Sequence, residues 1–281
     1  MKRLKTLGFL LLLGPFGNSC STHVNLTEGH DDNEETEFSA NYVFMEQTDD
    51  ILPVDGPGVA PVIYQNLKSL GNLPVHEKTA KFIDMMLPTI ILARERKLAE
   101  KERVEMMINN RQYDPSTKAL LSLYLAKYKA KSVEELPLRM TPPPISMILA
   151  QSVMETGWGT SSIFLEANNA FGVWSFSANE PRRATKGTRN NRPVYVRAYD
   201  DILSSTEHYL DIIGRVYAYE DLRNAMQVES NSLELVNHLT AYSEEGSNYI
   251  SLLKSIIRKY KMQQYDAYYS VPQKEVLMAA S

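Results

Sequence analysis

A mainly α-helical fold is predicted by three observations on the 281-residue sequence. Residues 77–107 set Phe82, Met85, Met86, Ile90 and Ile91 among Glu, Lys and Arg at the interval of an amphipathic helix. Pro88 predicts a kink or an interruption within it. A second run, "STKALLSLYLAKYKA", repeats Leu120, Leu121, Tyr124, Leu125 and Tyr128 at three- and four-residue steps, with Ser116 placed to cap it. The third, "TPPPISMILAQSVMETG", starts after proline and predicts a helix over Ile145 to Thr156 with Gly157 as its C-terminal cap. By contrast, Ser175 to Tyr199 loses helical periodicity and contains Pro181, Gly187 and Pro193.

Composition bounds the function. With 43% hydrophobic and 23% charged residues, the chain buries a sizeable core in one or two domains. A net charge of -4 provides no global basic field, which argues against a nucleic-acid partner. The basic cluster "PRRATKGTRNNR" reads as a solvated loop. His23, His30, His76, His208 and His238 are scattered, and with a single cysteine they form no metal-ligand spacing. His208 and His238 read as ordinary helix residues. No serine-nucleophile motif or phosphate-cradling glycine loop occurs either, so neither metal nor cofactor is expected.

Residues 1–20 have the form of an export signal: Lys2, Arg3 and Lys5, then the apolar "LGFLLLLGPF", then small polar residues. Cys20 is the sole cysteine, which leaves a free thiol, an intermolecular bridge or lipidation. The segment resembles a bacterial lipoprotein signal with Cys20 as the first mature residue, departing from it at Gly17. That resemblance implies an exported, periplasm-facing or outer-membrane lipoprotein held at the membrane surface through Cys20. Residues 21–63 carry "EGHDDNEETE" and "PVDGPGVAP", and their charge and Pro/Gly content predict a tether. Residues 64–140 form a helical extension, 141–262 the main domain, and 263–281 a tail without usable periodicity.

Glu155 carries the chemical signal. Ile148, Ser152 and Glu155 share one face of the third helix, while Met147, Ala150, Met154, Leu149 and Val153 cover the others, so the helix is expected to be buried almost all round. Burial disfavours the carboxylate, and so does the negative end of the helix dipole. A carboxylic acid protonated near neutral pH is what general acid catalysis needs. On a frayed last turn the same residue would point into water or pair with an arginine. The following "GWGTSSIFLEANNAFGVW" mixes aromatic and Asn side chains, a composition that suits either a core or a sugar chain.

The order of residues here resembles the Bax-type and flagellar-type N-acetylglucosaminidases, a family of bacterial peptidoglycan hydrolases. Ala150, Gln151, Glu155, Thr156, Gly157, Trp158, Gly159 and Ser161 match its first block, and Asn168, Asn169, Phe171, Gly172 and Val173 its second. Weaker likeness continues through "VYVRAYDDILSSTEHYLDII" and "LTAYSEEGSNYISLLKSIIRKY". The resemblance implies an α+β, lysozyme-like helical domain whose small β-lobe, here residues 175–199, faces the acid across a groove. It implies Glu155 as proton donor, with Glu180 and Tyr242 as candidates for the second group. Trp158, Asn169, Phe171, Trp174 and Tyr249 are the candidate substrate-binding residues, while Asp200 and Asp201 read as turn or capping residues. The implied activity is cleavage after N-acetylglucosamine in peptidoglycan glycan strands. A lytic transglycosylase forming 1,6-anhydro ends and a non-catalytic wall-binding lipoprotein are the alternatives.

Overall fold

The computed structural model describes residues 39–110, 113–189, 192–240 and 246–271. Cys20, the export signal and Tyr242 lie outside the described residues, as does much of the assigned tether. As expected, the body is mainly helical, α+β, with a small β-lobe. In chain order the elements are β1 (Asn41–Phe44), β2 (Gly58–Val59), β3 (Val62–Gln65), α1 (Val75–Asn110), α2 (Pro115–Tyr128), α3 (Leu136–Met140), α4 (Ile145–Thr156) and α5 (Ser162–Ala167). The hairpin strands β4 (Arg182–Arg189) and β5 (Arg192–Arg197) follow, then α6 (Ile202–Arg215), α7 (Glu220–Ala225), α8 (Ser232–Leu235), α9 (Ser247–Lys259) and β6 (Tyr269–Ser270). No helix among the described residues is long and apolar enough to cross a membrane.

Several sequence expectations need correction. The interruption that Pro88 allows does not occur: helix α1 runs on through it, because the residues around it, from Phe82 to Ala93, are nearly all buried and packing holds the helix against the lost hydrogen bond. The cap of α2 is Asp114 rather than Ser116: its carboxylate accepts from the backbone N–H of Thr117 at 2.7 Å, and Pro115 takes the first helical position. The tether does not extend to residue 63. Strands β1 and β3 pair in parallel, Asn41 opposite Val62, and Met45, Ile51 and Val59 are buried in the main core.

The assigned tail is also partly structural. Strand β6 pairs in parallel with β2, through Tyr269 N–H to the Pro57 carbonyl at 2.9 Å and Val271 N–H to that of Val59 at 2.9 Å. Just before it, Asp266 accepts from the backbone N–H of Ser146 at 2.7 Å and from its hydroxyl at 2.8 Å. Helix α4 begins at Pro144, which offers no capping side chain, so Asp266 does that work from a distant part of the chain. Nor is there a boundary in the core at residue 140. Phe82, Met86 and Ile90 of α1 belong to one hydrophobic cluster with Ile148 and Leu149 of α4 and Tyr209 and Ile213 of α6. A second, smaller cluster of Val104, Leu121, Tyr128, Leu136 and Met140 joins the far half of α1 to α2 and α3.

Candidate active site

Helix α4 ends where its sequence predicts. Ile145 to Val153 and Thr156 are buried, and Gly157 closes the helix in the left-handed region at φ 59°, its N–H bonded to the Val153 carbonyl. Trp158 and Gly159 continue in that region at φ 62° and 74°. The Gly-Trp-Gly run is thus a left-handed turn, favourable for glycine and strained for tryptophan. Gly159 has a second constraint, since a Cβ there would lie 3.2 Å from both Leu70 and Phe82. The turn carries Trp158 onto Phe82 and Tyr260, ring centroids 5.7 and 4.6 Å away.

Glu155 sits in the last turn of α4. The residue as a whole keeps partial exposure, but its Oε1 is sealed from solvent and has no hydrogen-bond partner among the described residues. Burial pushes its carboxyl well above the usual carboxylate range. One turn earlier on the same face, Gln151 is fully buried: its carbonyl accepts from the Tyr209 hydroxyl, and its amide donates to that of Tyr249 at 3.3 Å. Ionisation of the Tyr209, Tyr219 and Tyr249 hydroxyls is pushed to higher pH, first by burial and further by the Glu155 charge. An ionised Glu155 would therefore face desolvation without a neighbouring cation among these groups.

The other sequence candidates separate into surface and support. Trp158 and Trp174 are half-buried and keep some solvent-exposed surface. Asn169, Phe171 and Tyr249 do not, which corrects their assignment as sugar-contacting residues. The Asn169 amide donates to the carbonyls of Val173 at 2.9 Å and Arg197 at 2.8 Å, and its oxygen accepts from Val173 N–H at 3.0 Å. It staples the lobe to the body. Phe171 stacks on Tyr209 at 4.1 Å between centroids, which extends the support under Gln151. The sequence alone marks no role for Gln151, Tyr209 or Tyr219. Gln151 was visible as the polar residue one turn before Glu155, whereas the tyrosines were indistinguishable from ordinary core aromatics.

The lobe is a hairpin rather than the loop expected for "PRRATKGTRNNR". Strands β4 and β5 pair antiparallel, and Trp174 forms a bridge to Val196 beside them. Glu180 stands at its base. Its carboxylate accepts from the Ser175 hydroxyl at 2.7 Å and pairs with Arg197 at 3.1 Å. These partners are all in the lobe, and none of its contacts joins it to Glu155. Asp201 caps α6 as expected, accepting from the Ser204 N–H and hydroxyl at 2.7 Å each. No group of three or more His, Cys, Asp or Glu able to hold a metal occurs among the described residues.

Behind the lobe, His208 of α6 lies between the Tyr199 hydroxyl at 2.8 Å and the Arg215 guanidinium at 3.3 Å. Since arginine can only donate, the neutral ring accepts at Nε2 and carries its proton on Nδ1, toward Tyr199. Burial first, then the charges of Arg197 and Arg215, pushes the imidazole down to about 3. The unfolded chain binds a proton here near the ordinary value of 6.5 and the folded chain does not. Stability contributed by the neutral ring is complete above that value and is lost as pH falls toward 3. The expected loss is about 2 kcal/mol between pH 6 and 4.5. Urea unfolding across that range measures it, and His208→Gln should flatten the slope; an unchanged slope would mean that other groups produce the acid sensitivity.

A desolvated carboxyl at the end of a buried helix, with a β-lobe rooted beside it, is an arrangement that suits proton donation to a glycosidic oxygen. Residues 130–262 match the model of the glucosaminidase family, described as mannosyl-glycoprotein endo-beta-N-acetylglucosaminidase. Through this segment the chain is similar to the Bax-type peptidoglycan hydrolases. It is 26% identical over 159 residues to the protein bax of Escherichia coli, covering 50% of this chain and 55% of that one. It is 24% identical over 130 residues to the exo-glucosaminidase LytG of Bacillus subtilis, covering 43% and 45%. The chain thus spans about half the length of these relatives. Similar solved structures include the glycoside hydrolase domain of FlgJ from Salmonella typhimurium, at 24% identity, TM-score 0.36 and coverage of 51% and 90%. The catalytic domain of the autolysin Auto from Listeria monocytogenes aligns at 15% identity, TM-score 0.38 and coverage of 59% and 96%.

Proposed function

We propose that the protein hydrolyses the glycosidic bond after N-acetylglucosamine in peptidoglycan glycan strands, with Glu155 as general acid. The observation that carries this reading is the desolvated Glu155 carboxyl at the end of α4, one turn beyond the Gln151 that holds two buried tyrosines. Desolvation keeps the proton on the carboxyl at neutral pH, where it can pass to the oxygen that leaves the sugar. As that bond breaks, positive charge grows on the ring and must be met from the other side. Either Glu180 activates a water there or the substrate acetamido oxygen attacks internally. Inversion at the anomeric carbon of the first product marks the former and retention the latter. Export and anchorage through Cys20 complete the proposal by placing the enzyme where its substrate lies.

Product ends test the reaction. Purified sacculi digested by the protein, reduced with borohydride and analysed by mass spectrometry, should yield fragments ending in reduced N-acetylglucosamine. Anhydro-muramic ends would instead identify a transglycosylase, and sacculus binding without soluble products would identify a wall-binding protein.

A further inference from the structure

We infer that the β4–β5 hairpin is a cationic arm that binds the carboxylates of the peptide stems carried by the glycan strand. This rests on the peptidoglycan reading above and extends it from the sugars to their substituents. Between Arg182 and Arg197 the sequence holds six Arg and Lys residues and no Asp or Glu, in a chain whose net charge is -4. Arg183, Lys186 and Arg192 are exposed. The strand register also sets Arg182 directly opposite Arg197 and Arg189 directly opposite Arg192. Like charges facing each other across a strand pair oppose folding, so the arrangement is not explained by the stability of the hairpin.

Aromatic faces orient two of these cations. Arg197 pairs with Glu180, but the Arg182 guanidinium lies 4.1 Å from the Tyr195 ring centroid and Arg189 lies 5.4 Å from that of Trp174. An aromatic face fixes a guanidinium plane while leaving its charge in place, and an oriented guanidinium recognises a carboxylate through two parallel hydrogen bonds. Phe176, 56% exposed and 6.0 Å from Trp174, adds apolar surface to the same lobe.

Position selects the occupant. The lobe is rooted beside α4 through Asn169, which bonds Arg197, and through the Phe171–Tyr209–Gln151 contacts that end one turn from Glu155. A glycan strand lying over Glu155 therefore passes the hairpin, and the eight residues of β4 extend roughly 26 Å, long enough to follow several sugars. Along such a strand, anionic groups recur on the peptide stems. A lipid surface offers anionic phosphates instead, but it would have to cover the face that the glycan strand needs.

The test uses the full chain carrying Glu155→Gln, so that binding is read without turnover and separately from the product assay. Arg183→Gln, Lys186→Gln and Arg192→Gln together should weaken binding to purified sacculi at least about tenfold at low salt. Amidating the sacculus carboxyls with carbodiimide and ammonia should weaken the parent to a similar extent and erase the difference between the two proteins. Lysine in place of Arg183 and Arg192 should restore most of the binding, which a folding defect would not allow. Sacculus binding by the triple variant within about twofold of the parent overturns the proposal. So does an equal loss on amidated sacculi, or a loss confined to phosphatidylglycerol vesicles, which would assign the arm to a membrane.

Discussion

Glu155→Gln should lower activity on intact peptidoglycan by at least about 100-fold while the protein stays folded. Glutamine preserves the shape of the side chain and the packing of α4, but it has no proton to give to the leaving oxygen. Its effect on stability has a defined sign. Burial raises the carboxyl above its ordinary 4.5, so the unfolded chain is ionised at neutral pH and must take up a proton to fold. That linkage favours folding below 4.5 and weakens as pH rises. The variant lacks it, so its thermal stability should equal or exceed that of the parent at neutral pH, with the gap widening from pH 5 upward. Loss of activity with a lowered melting temperature would point to damage, and near-normal turnover would remove Glu155 from the chemistry.

The second large effect is expected from the N-terminal strands. A chain beginning at Val62 lacks β1 and β2 and with them Met45, Ile51 and Val59, which are 0%, 3% and 4% exposed. It also lacks the Val54 N–H that bonds Asp84 at 3.1 Å, and it leaves β6 without a partner. Three fully buried apolar side chains contribute roughly 5 to 8 kcal/mol together. A typical domain has about 5 to 15 kcal/mol in total. The shortened chain should therefore lose its cooperative urea transition or show a midpoint far below that of the parent chain. An unchanged transition would mean that β1 and β2 are an appendage, as the linker-like composition of residues 21–63 suggests.

The contrast between these two regions shows what a sequence makes legible. Helix α4, its glycine cap and the polar faces of Gln151 and Glu155 follow from residues within one or two turns of each other, so periodicity finds them. The Asp201 cap is equally local. Strands β1 to β3 are held by parallel pairings between distant segments, β2 with β6 across some two hundred residues, and no local pattern announces that. Their Pro and Gly content supports tight turns on a packed surface just as well as it supports a linker. The same limit applies at the site. Asn169, Phe171 and Tyr249 have side chains suited to a sugar, and only packing shows that Asn169 is used up on backbone groups and that the two rings are interior. Of the sugar-contacting candidates, Trp158 and Trp174 alone stay half-buried.

General acid catalysis by Glu155 requires that the carboxyl hold its proton before substrate arrives. Carbon-13 NMR of protein labelled at the glutamate side-chain carboxyls, titrated in the free state and compared with Glu155→Gln, observes that proton directly. One resonance, absent from the variant, should remain at the protonated position at pH 6 and move only on the alkaline side of the ordinary carboxylate range. If the Glu155 resonance instead titrates between pH 4 and 5 with the surface glutamates, the carboxyl is ionised at neutral pH, and the general acid must be sought elsewhere.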